Sequence, residues 1–171
     1  MTSLRKTLAL AHEILQQNNI DHALIGGFAL AVYGQHRATS DIDFLADGAK
    51  KDLIKTKILR AGFQLTHESG EVLQFAGIGL LDILLANRPL SKEMLKNAID
   101  NSILGLHVLR AEDIIGLKIQ AYKNDSAREL QDKADIQKLL LHNQLDLEQV
   151  KKYADLFQEW EVIQKLSRTK P

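Results

Sequence analysis

The stretch IGGFALAVYGQHRATSDIDFLAD, Ile25 to Asp47, decides how this chain is read. It opens on two adjacent glycines and closes on Asp41-Ile42-Asp43 at the head of an apolar run. "DHALIGG" has the pattern of a short buried strand ended by the glycines. "FALAVYG" is a run of helix formers stopped by Gly34, and "DIDFLA" is a second strand. Successive strand residues point to opposite faces, so Asp41 and Asp43 share one face while Ile42 and Phe44 point into the core. Two carboxylates so placed repel, and keeping both ionised costs stability unless a cation neutralises them. A hard divalent ion with oxygen ligands, Mg²⁺ above all, fits that demand. A solvated face with two hydrated carboxylates fits it too, and a bare D-x-D leaves both readings open.

The glycines add a second requirement. A strand that ends in Gly26-Gly27 and leads into a helix presents unpaired backbone N–H groups, and glycine lets an anion approach the backbone closely. On its own the pair is equally an ordinary tight turn. Together the two features supply anion donors and a metal, which is what a triphosphate carrying Mg²⁺ needs. A third carboxylate, Asp82, sits inside the apolar run GIGLLDILLA. Leu81 and Ile83 share one face of that strand, and Asp82 shares the other with Leu80 and Leu84. An aspartate there is costly unless it is paired, metal-bound or satisfied by backbone N–H groups.

Outward from this core, Leu4, Leu8, Ala11 and Leu15 recur at helical spacing before the first strand. "AKKDLIKTKILRAG" predicts a helix with Leu53, Ile54, Ile58 and Leu59 on one side and Gly62 as its stop. "FQLTHE", "EVLQFAG" and "LLDILLA" predict three strands, the first two joined at Ser69-Gly70. "SKEMLKNAI" predicts a short helix and "ILGLHVLR" a strand or extended connector. After Arg110 every segment predicts helix. The expected organisation is an α+β domain with a mixed sheet flanked by helices over residues 1–109, followed by a C-terminal helical half, 110–171, packed on it without a flexible spacer.

Composition narrows the function classes. The chain has 171 residues, 22 Lys plus Arg against 22 Asp plus Glu, and no cysteine. The zero net charge gives no general electrostatic case for nucleic-acid binding, although a local basic patch is compatible with it. Disulfides and thiolate metal sites are excluded. The first residues lack a signal-peptide pattern, and no apolar run is long enough to cross a membrane, so a soluble cytoplasmic protein with no membrane role is expected. The six histidines show no metal-ligand spacing, and none is assigned a role.

These residues together resemble the nucleotidyltransferase fold of the polymerase-β-like superfamily. Its pattern is Gly-Gly or Gly-Ser after a strand, D-x-D about a dozen residues on, and a third acidic residue on a later strand. The chain is most similar to the minimal AbiEii-type branch found among bacterial toxin–antitoxin systems, whose G-G-x-A-L and R-x-T-x-D-I-D appear as "GGFAL" and "RATSDID". In the helical half, "EDIIGLKIQAY" with Lys118 and "RELQDKADIQKL" with Arg128, Asp132 and Asp135 resemble the family's D-L-I-A-L-K and R…K-D-x-x-D helices. Gln131 stands where the family has the lysine of K-D, and Gly27 stands where many members of the wider superfamily have serine.

The resemblance implies an enzyme that moves a nucleoside monophosphate from an NTP to a hydroxyl. Asp41, Asp43 and Asp82 would be catalytic and would hold Mg²⁺, or Mn²⁺ in its place. Gly26, Gly27, Arg37, Thr39 and Lys118 would bind the nucleotide phosphates. Arg128, Asp132 and Asp135 would support the site or meet the acceptor, which the sequence leaves open among tRNA, another protein and a small molecule. A toxin–antitoxin partner protein is a further implication. Lys118 lies on the apolar stripe of its helix, beside Ile114, Ile115, Ala121 and Tyr122, so it either snorkels or turns its ammonium into a cleft. Arg37 equally fits a surface loop, and Arg128–Asp132 a surface pair. The competing readings are a tRNA 3′-end-adding relative, for which the chain is short, and a catalytically silent nucleotide- or partner-binding module of the same fold.

Overall fold

The computed structural model describes residues 3–168, so the outermost residues of the two expected domains, 1–2 and 169–171, lie outside the described residues. The chain divides into two compact units. One holds the residues up to Ala29 together with Arg37–Leu109. The other holds Leu30–His36 together with the chain from Arg110 onward.

The first unit is built on one mixed sheet. In chain order its strands are β1 (His22–Ile25), β2 (Asp41–Asp47), β3 (Gln64–Glu68), β4 (Val72–Ala76), β5 (Leu80–Ala86), β6 (Ile99–Asn101) and β7 (Leu106–Val108). They lie side by side as β3-β4-β5-β2-β1-β7-β6. β2 runs parallel to β5 and antiparallel to β1. β4 is antiparallel to both β3 and β5. The segment expected as a strand or extended connector holds β7, which joins the sheet parallel to β1. The unexpected β6 before it, starting at the end of the helix predicted over SKEMLKNAI, pairs with β7 antiparallel.

Alternation decides which face is core. Ile42, Phe44, Leu73, Phe75, Leu81 and Ile83 are buried, all from one face of β2, β4 and β5. Helix α1 (Ser3–Gln17) packs on β2 and β5, and α3 (Lys51–Arg60) packs on α1 and β3. α1 buries Leu8, Ala11 and Leu15 as the spacing predicts, while Leu4 is only partly covered. α3 buries Ile54 and Ile58, but Leu59 stays exposed because its position has rotated off the apolar stripe. Gly62 ends α3 at φ +92°, a left-handed conformation that glycine adopts without strain. Helix α4 (Pro89–Lys96) packs on β2 and β5. Helix α2 (Gly26–Val32) starts on the glycines themselves, two residues earlier than the sequence predicts.

At one end of β1, His22 Nδ1 bonds the Ile20 carbonyl at 2.7 Å and Nε2 faces His12 Nδ1 at 2.8 Å. One neutral arrangement satisfies both contacts. His22 donates from Nδ1, and His12 donates from Nδ1 to the bare Nε2 of His22. Burial, with the neighbouring imidazoles His107 and His12 adding to it, holds both rings below the ordinary histidine value.

The second unit is helical: α5 (Ala111–Asn124), α6 (Glu129–His142), α7 (Leu147–Leu156) and α8 (Trp160–Arg168). α5 packs on α6 and α7, and α8 packs on α6 and α7. Ile115, Ile119, Ile136, Leu139, Val150 and Ile163 form its apolar centre. Asp113 is fully buried in the first turn of α5, where the helix dipole favours an anion. It accepts from Arg110 Nε at 3.0 Å, from Arg110 Nη2 at 3.1 Å and from the Tyr153 hydroxyl. The segment Leu30–His36 belongs here: Gln35 Nε2 donates to the Asp135 carbonyl at 3.3 Å. Burial, with Glu112 and Asp113 nearby, pushes the Tyr33 phenol up to about 12. Among the described residues no helix is long and apolar enough to cross a membrane.

Two outcomes follow for stability. Phe44 is completely buried at the centre of the sheet, so Phe44→Ala costs about 3–5 kcal/mol in a denaturant titration. The histidine pair sets a pH dependence. A folded-state value below the ordinary one means the unfolded chain binds more protons, so stability rises with pH. The contribution is fully present above about pH 6.5 and is lost as pH falls below it. The melting temperature therefore drops between about pH 7.5 and 5, and the double variant His12→Asn/His22→Asn flattens that slope. A slope unchanged by the double variant would dismiss the pair as its source.

Candidate metal and nucleotide site

The register of β2 against β5 assembles the site. Asp43 lies directly opposite Asp82, and Asp41 opposite Leu80. All three aspartates point away from the buried face and are half-buried. One carboxylate oxygen from each lies within 4.8 Å of the others, and this is the one such cluster of three metal-ligating side chains among the described residues. Two unit charges at that separation repel by about 3 kcal/mol at an effective dielectric constant of about 20. Two donors offset part of this. The Thr39 hydroxyl donates to Asp41 Oδ1 at 2.8 Å, and the Gln74 amide donates to Asp82 Oδ2 at 2.7 Å. Such bonds to a charged acceptor are worth about 1.5–3 kcal/mol each. A divalent cation bound by all three carboxylates would turn the repulsion into attraction. An all-oxygen donor set fits Mg²⁺ or Mn²⁺ rather than a softer metal.

The glycines are held to their identity by the same side chains. A Cβ on Gly26 would lie 1.9 Å from Asp43 Oδ2, and Gly26 has φ +65°, so any side chain there is both strained and in collision. A Cβ on Gly27 would lie 2.7 Å from Cβ and from Oγ1 of Thr39. The Gly-Gly pair therefore brings the backbone of α2's first turn against two members of the acidic cluster's frame. Thr39 Oγ1 is directed to Asp41. Arg37 is exposed, with Nη1 donating to the neighbouring Ala38 carbonyl at 3.3 Å.

The other expected site residues lie in the helical unit, where they meet one another. Lys118 is buried, and its ammonium bonds Asp132 Oδ1 at 2.8 Å and Asp135 Oδ2 at 2.7 Å. It does not snorkel to water. Arg128 Nε reaches Asp132 Oδ2 at 3.2 Å, so the expected surface pair has one buried member. Gln131, in the place of the family's lysine, donates weakly to Asp135 Oδ1 at 3.4 Å. Lys133 turns to Glu129 instead. The sequence reading missed two partners: Gln74, set opposite Asp82 by the register of β4 on β5, and Thr39, which acts on Asp41 two residues away. Strand alternation alone placed Gln74 on a face. Only the pairing of β4 with β5 put it beside Asp82.

Two cavities of the first unit lie at the other end of β1. One of about 320 Å³ is lined by His12, His22, Asp100 and His107, and one of about 540 Å³ by His22, Lys92, Lys96 and His107. They enclose none of the three aspartates.

No family model matches the chain. No curated protein matches it by sequence. Solved structures do match its fold. The antibiotic-resistance factor ANT(2'')-Ia in solution superposes with a TM-score of 0.64 at 15% identity, covering 94% of this chain and 96% of that one. The lincosamide antibiotic adenylyltransferase LnuA, lincomycin-bound, gives 0.56 at 16% identity, over 78% of this chain and 94% of that one. An antigenic nucleotidyltransferase-like protein from Paracoccidioides brasiliensis gives 0.55 at 18% identity, over 97% and 92%. At these identities the likeness is one of architecture: the chain has the nucleotidyltransferase fold.

Proposed function

We propose that the protein is a Mg²⁺-dependent nucleotidyltransferase of the minimal AbiEii-type branch, transferring a nucleoside monophosphate from an NTP to a hydroxyl acceptor. The observation that carries this reading is the meeting of Asp41, Asp43 and Asp82 on adjacent strands of that fold. A divalent ion held by the three carboxylates would supply charge stabilisation to the phosphoryl oxygens. The chain's own groups do the rest. Backbone N–H groups at Gly26 and Gly27 receive phosphate where no side chain intervenes. Arg37 clamps phosphate or acceptor, and Thr39 serves the nucleotide through Asp41. The acceptor oxygen attacks the α-phosphorus, its proton passes to Asp82, and pyrophosphate leaves. Catalysis of this kind is positioning and electrostatics.

The acceptor class is open to a small molecule, tRNA or a protein hydroxyl. The architectural neighbours include a structure of ANT(2'')-Ia with adenylyl-2''-tobramycin, at 16% identity and a TM-score of 0.62, which supports testing small hydroxylated antibiotics first. The resemblance to the AbiEii-type branch carries the companion proposals of a cytoplasmic protein working beside a toxin–antitoxin partner.

A second reading has one observation in its favour. Lys118, expected at the phosphates, has its ammonium bound by Asp132 and Asp135. A catalytically silent nucleotide-binding module would retain that buried arrangement and the acidic cluster while lacking turnover. In the enzymatic reading Lys118 is a proposed phosphate ligand whose ammonium is held by Asp132 and Asp135 before nucleotide arrives, with Arg128 also paired to Asp132.

Asp43→Ala abolishes Mg²⁺-dependent release of pyrophosphate while its melting curve stays cooperative; turnover equal to wild type removes the metal assignment. NTP plus Mg²⁺ raises the melting temperature of the wild type by several degrees and that of Asp82→Asn by less. A shift with no pyrophosphate release, for all four NTPs and with total RNA and hydroxylated antibiotics as acceptors, selects the silent module.

A further inference from the structure

We infer that Gln74 is a positioning residue that holds Asp82 in its working orientation, an inference that rests on the proposed metal-dependent transfer. Asp43, Asp82 and Gln74 stand in one row across β2, β5 and β4, in direct register. Asp82 therefore has a carboxylate on one side and an amide on the other. The 2.7 Å contact fixes the amide's orientation, because only Nε2 can donate to a carboxylate and the amide oxygen would be repelled. Repulsion from Asp43 and attraction to Gln74 act along the same line, so Asp82 Oδ2 is drawn toward β4. Asp41 receives the equivalent service from Thr39 at the other end of the cluster. Asp43, between them, has its carboxylate packed against the backbone of Gly26. Each carboxylate thus has its own restraint, as metal-binding and proton-accepting groups require of the shell around them.

Gln74 also defines what Asp82 is allowed to be. A primary amide donates to an ionised carboxylate but cannot take its proton. A glutamate in the same place keeps the length but replaces the donating amide by a second carboxylate, and a leucine keeps the bulk without the donor. The two substitutions therefore separate orientation from bulk.

Gln74→Leu keeps most of the volume and removes the donor. It lowers kcat about 10- to 100-fold, with KM for the NTP changed less than about threefold, and weakens Mn²⁺ binding followed by electron paramagnetic resonance about tenfold. Gln74→Glu keeps the length, sets a carboxylate against Asp82, and lowers kcat and Mn²⁺ affinity at least as far as Gln74→Leu does. The loss falls on kcat and Mn²⁺ affinity rather than on KM, a split that a merely structural role would not produce. Circular dichroism and melting curves of both variants report the fold independently.

If the wild type turns over NTP and neither variant changes kcat or Mn²⁺ affinity, Gln74 is not a positioning residue, and the transferase reading stands. If the wild type has no turnover but binds Mn²⁺ in a way that Asp82→Asn weakens, the transferase reading fails alone. The Mn²⁺ titration of Gln74→Leu then decides this inference, with an unchanged affinity overturning it. A wild type without turnover or Mn²⁺ binding overturns both.

Discussion

Everything at the site depends on the parallel pairing of β2 with β5. Asp43 and Asp82 are 39 positions apart in sequence, and only this register sets them face to face. The pairing is expensive locally, since it places like charges side by side. It is stabilised by the opposite face of the same strands, where Ile42, Phe44, Leu81 and Ile83 are fully buried. A one-residue slip would send the carboxylates into that core and expose the apolar set, so the hydrophobic pattern that fixes the register also fixes the acidic cluster. Core and site are two readings of one alternation.

Much of this was legible in the sequence, for that reason. Period-two alternation in "DIDFLA" and "LLDILLA" named both the buried face and the carboxylate face, and the helix spacing before "DHALIGG" named α1. What was not legible were properties of pairing rather than of period. "ILGLHVLR" contains the short strand β7, and its neighbours, the parallel β1 and the antiparallel β6 that precedes it at Ile99–Asn101, are set by pairing. Gln74 became a partner of the cluster only through the register of β4 on β5, and Thr39 through a local side-chain bond two residues along the chain. Leu30–His36, which adjoins the Gly-Gly turn in sequence, groups with the helices through Gln35 and Tyr33, and no composition change marks that.

The helical unit solves a different electrostatic problem. Lys118, Asp132 and Asp135 are buried together, with Arg128 bringing a second positive charge to Asp132. Two carboxylates against two cations is a balanced set, which is the condition for burying charge at tolerable cost. The same accounting explains Asp113, held by Arg110 and Tyr153, and Glu159. Burial raises the Glu159 carboxyl, but bonds from Lys123 and Tyr122 outweigh it and keep the group low. Motif positions that look like substrate contacts in sequence can thus be partners of one another in the folded chain.

The central place of β2 has a dynamic meaning. It pairs with β5 over Asp41–Asp47 and with β1 over Asp43–Ala46, whereas β3 and β6 form the edges of the sheet. Local opening begins at edges and termini and reaches doubly paired strands last. Asp43 on β2 and Asp82 on β5 therefore sit on doubly paired stretches, whereas Asp41 stands at the strand end, paired with β5 alone. The backbone that carries Asp43 and Asp82 is thus fixed by its strand neighbours and by the apolar face beneath, with no contribution required from the carboxylates themselves.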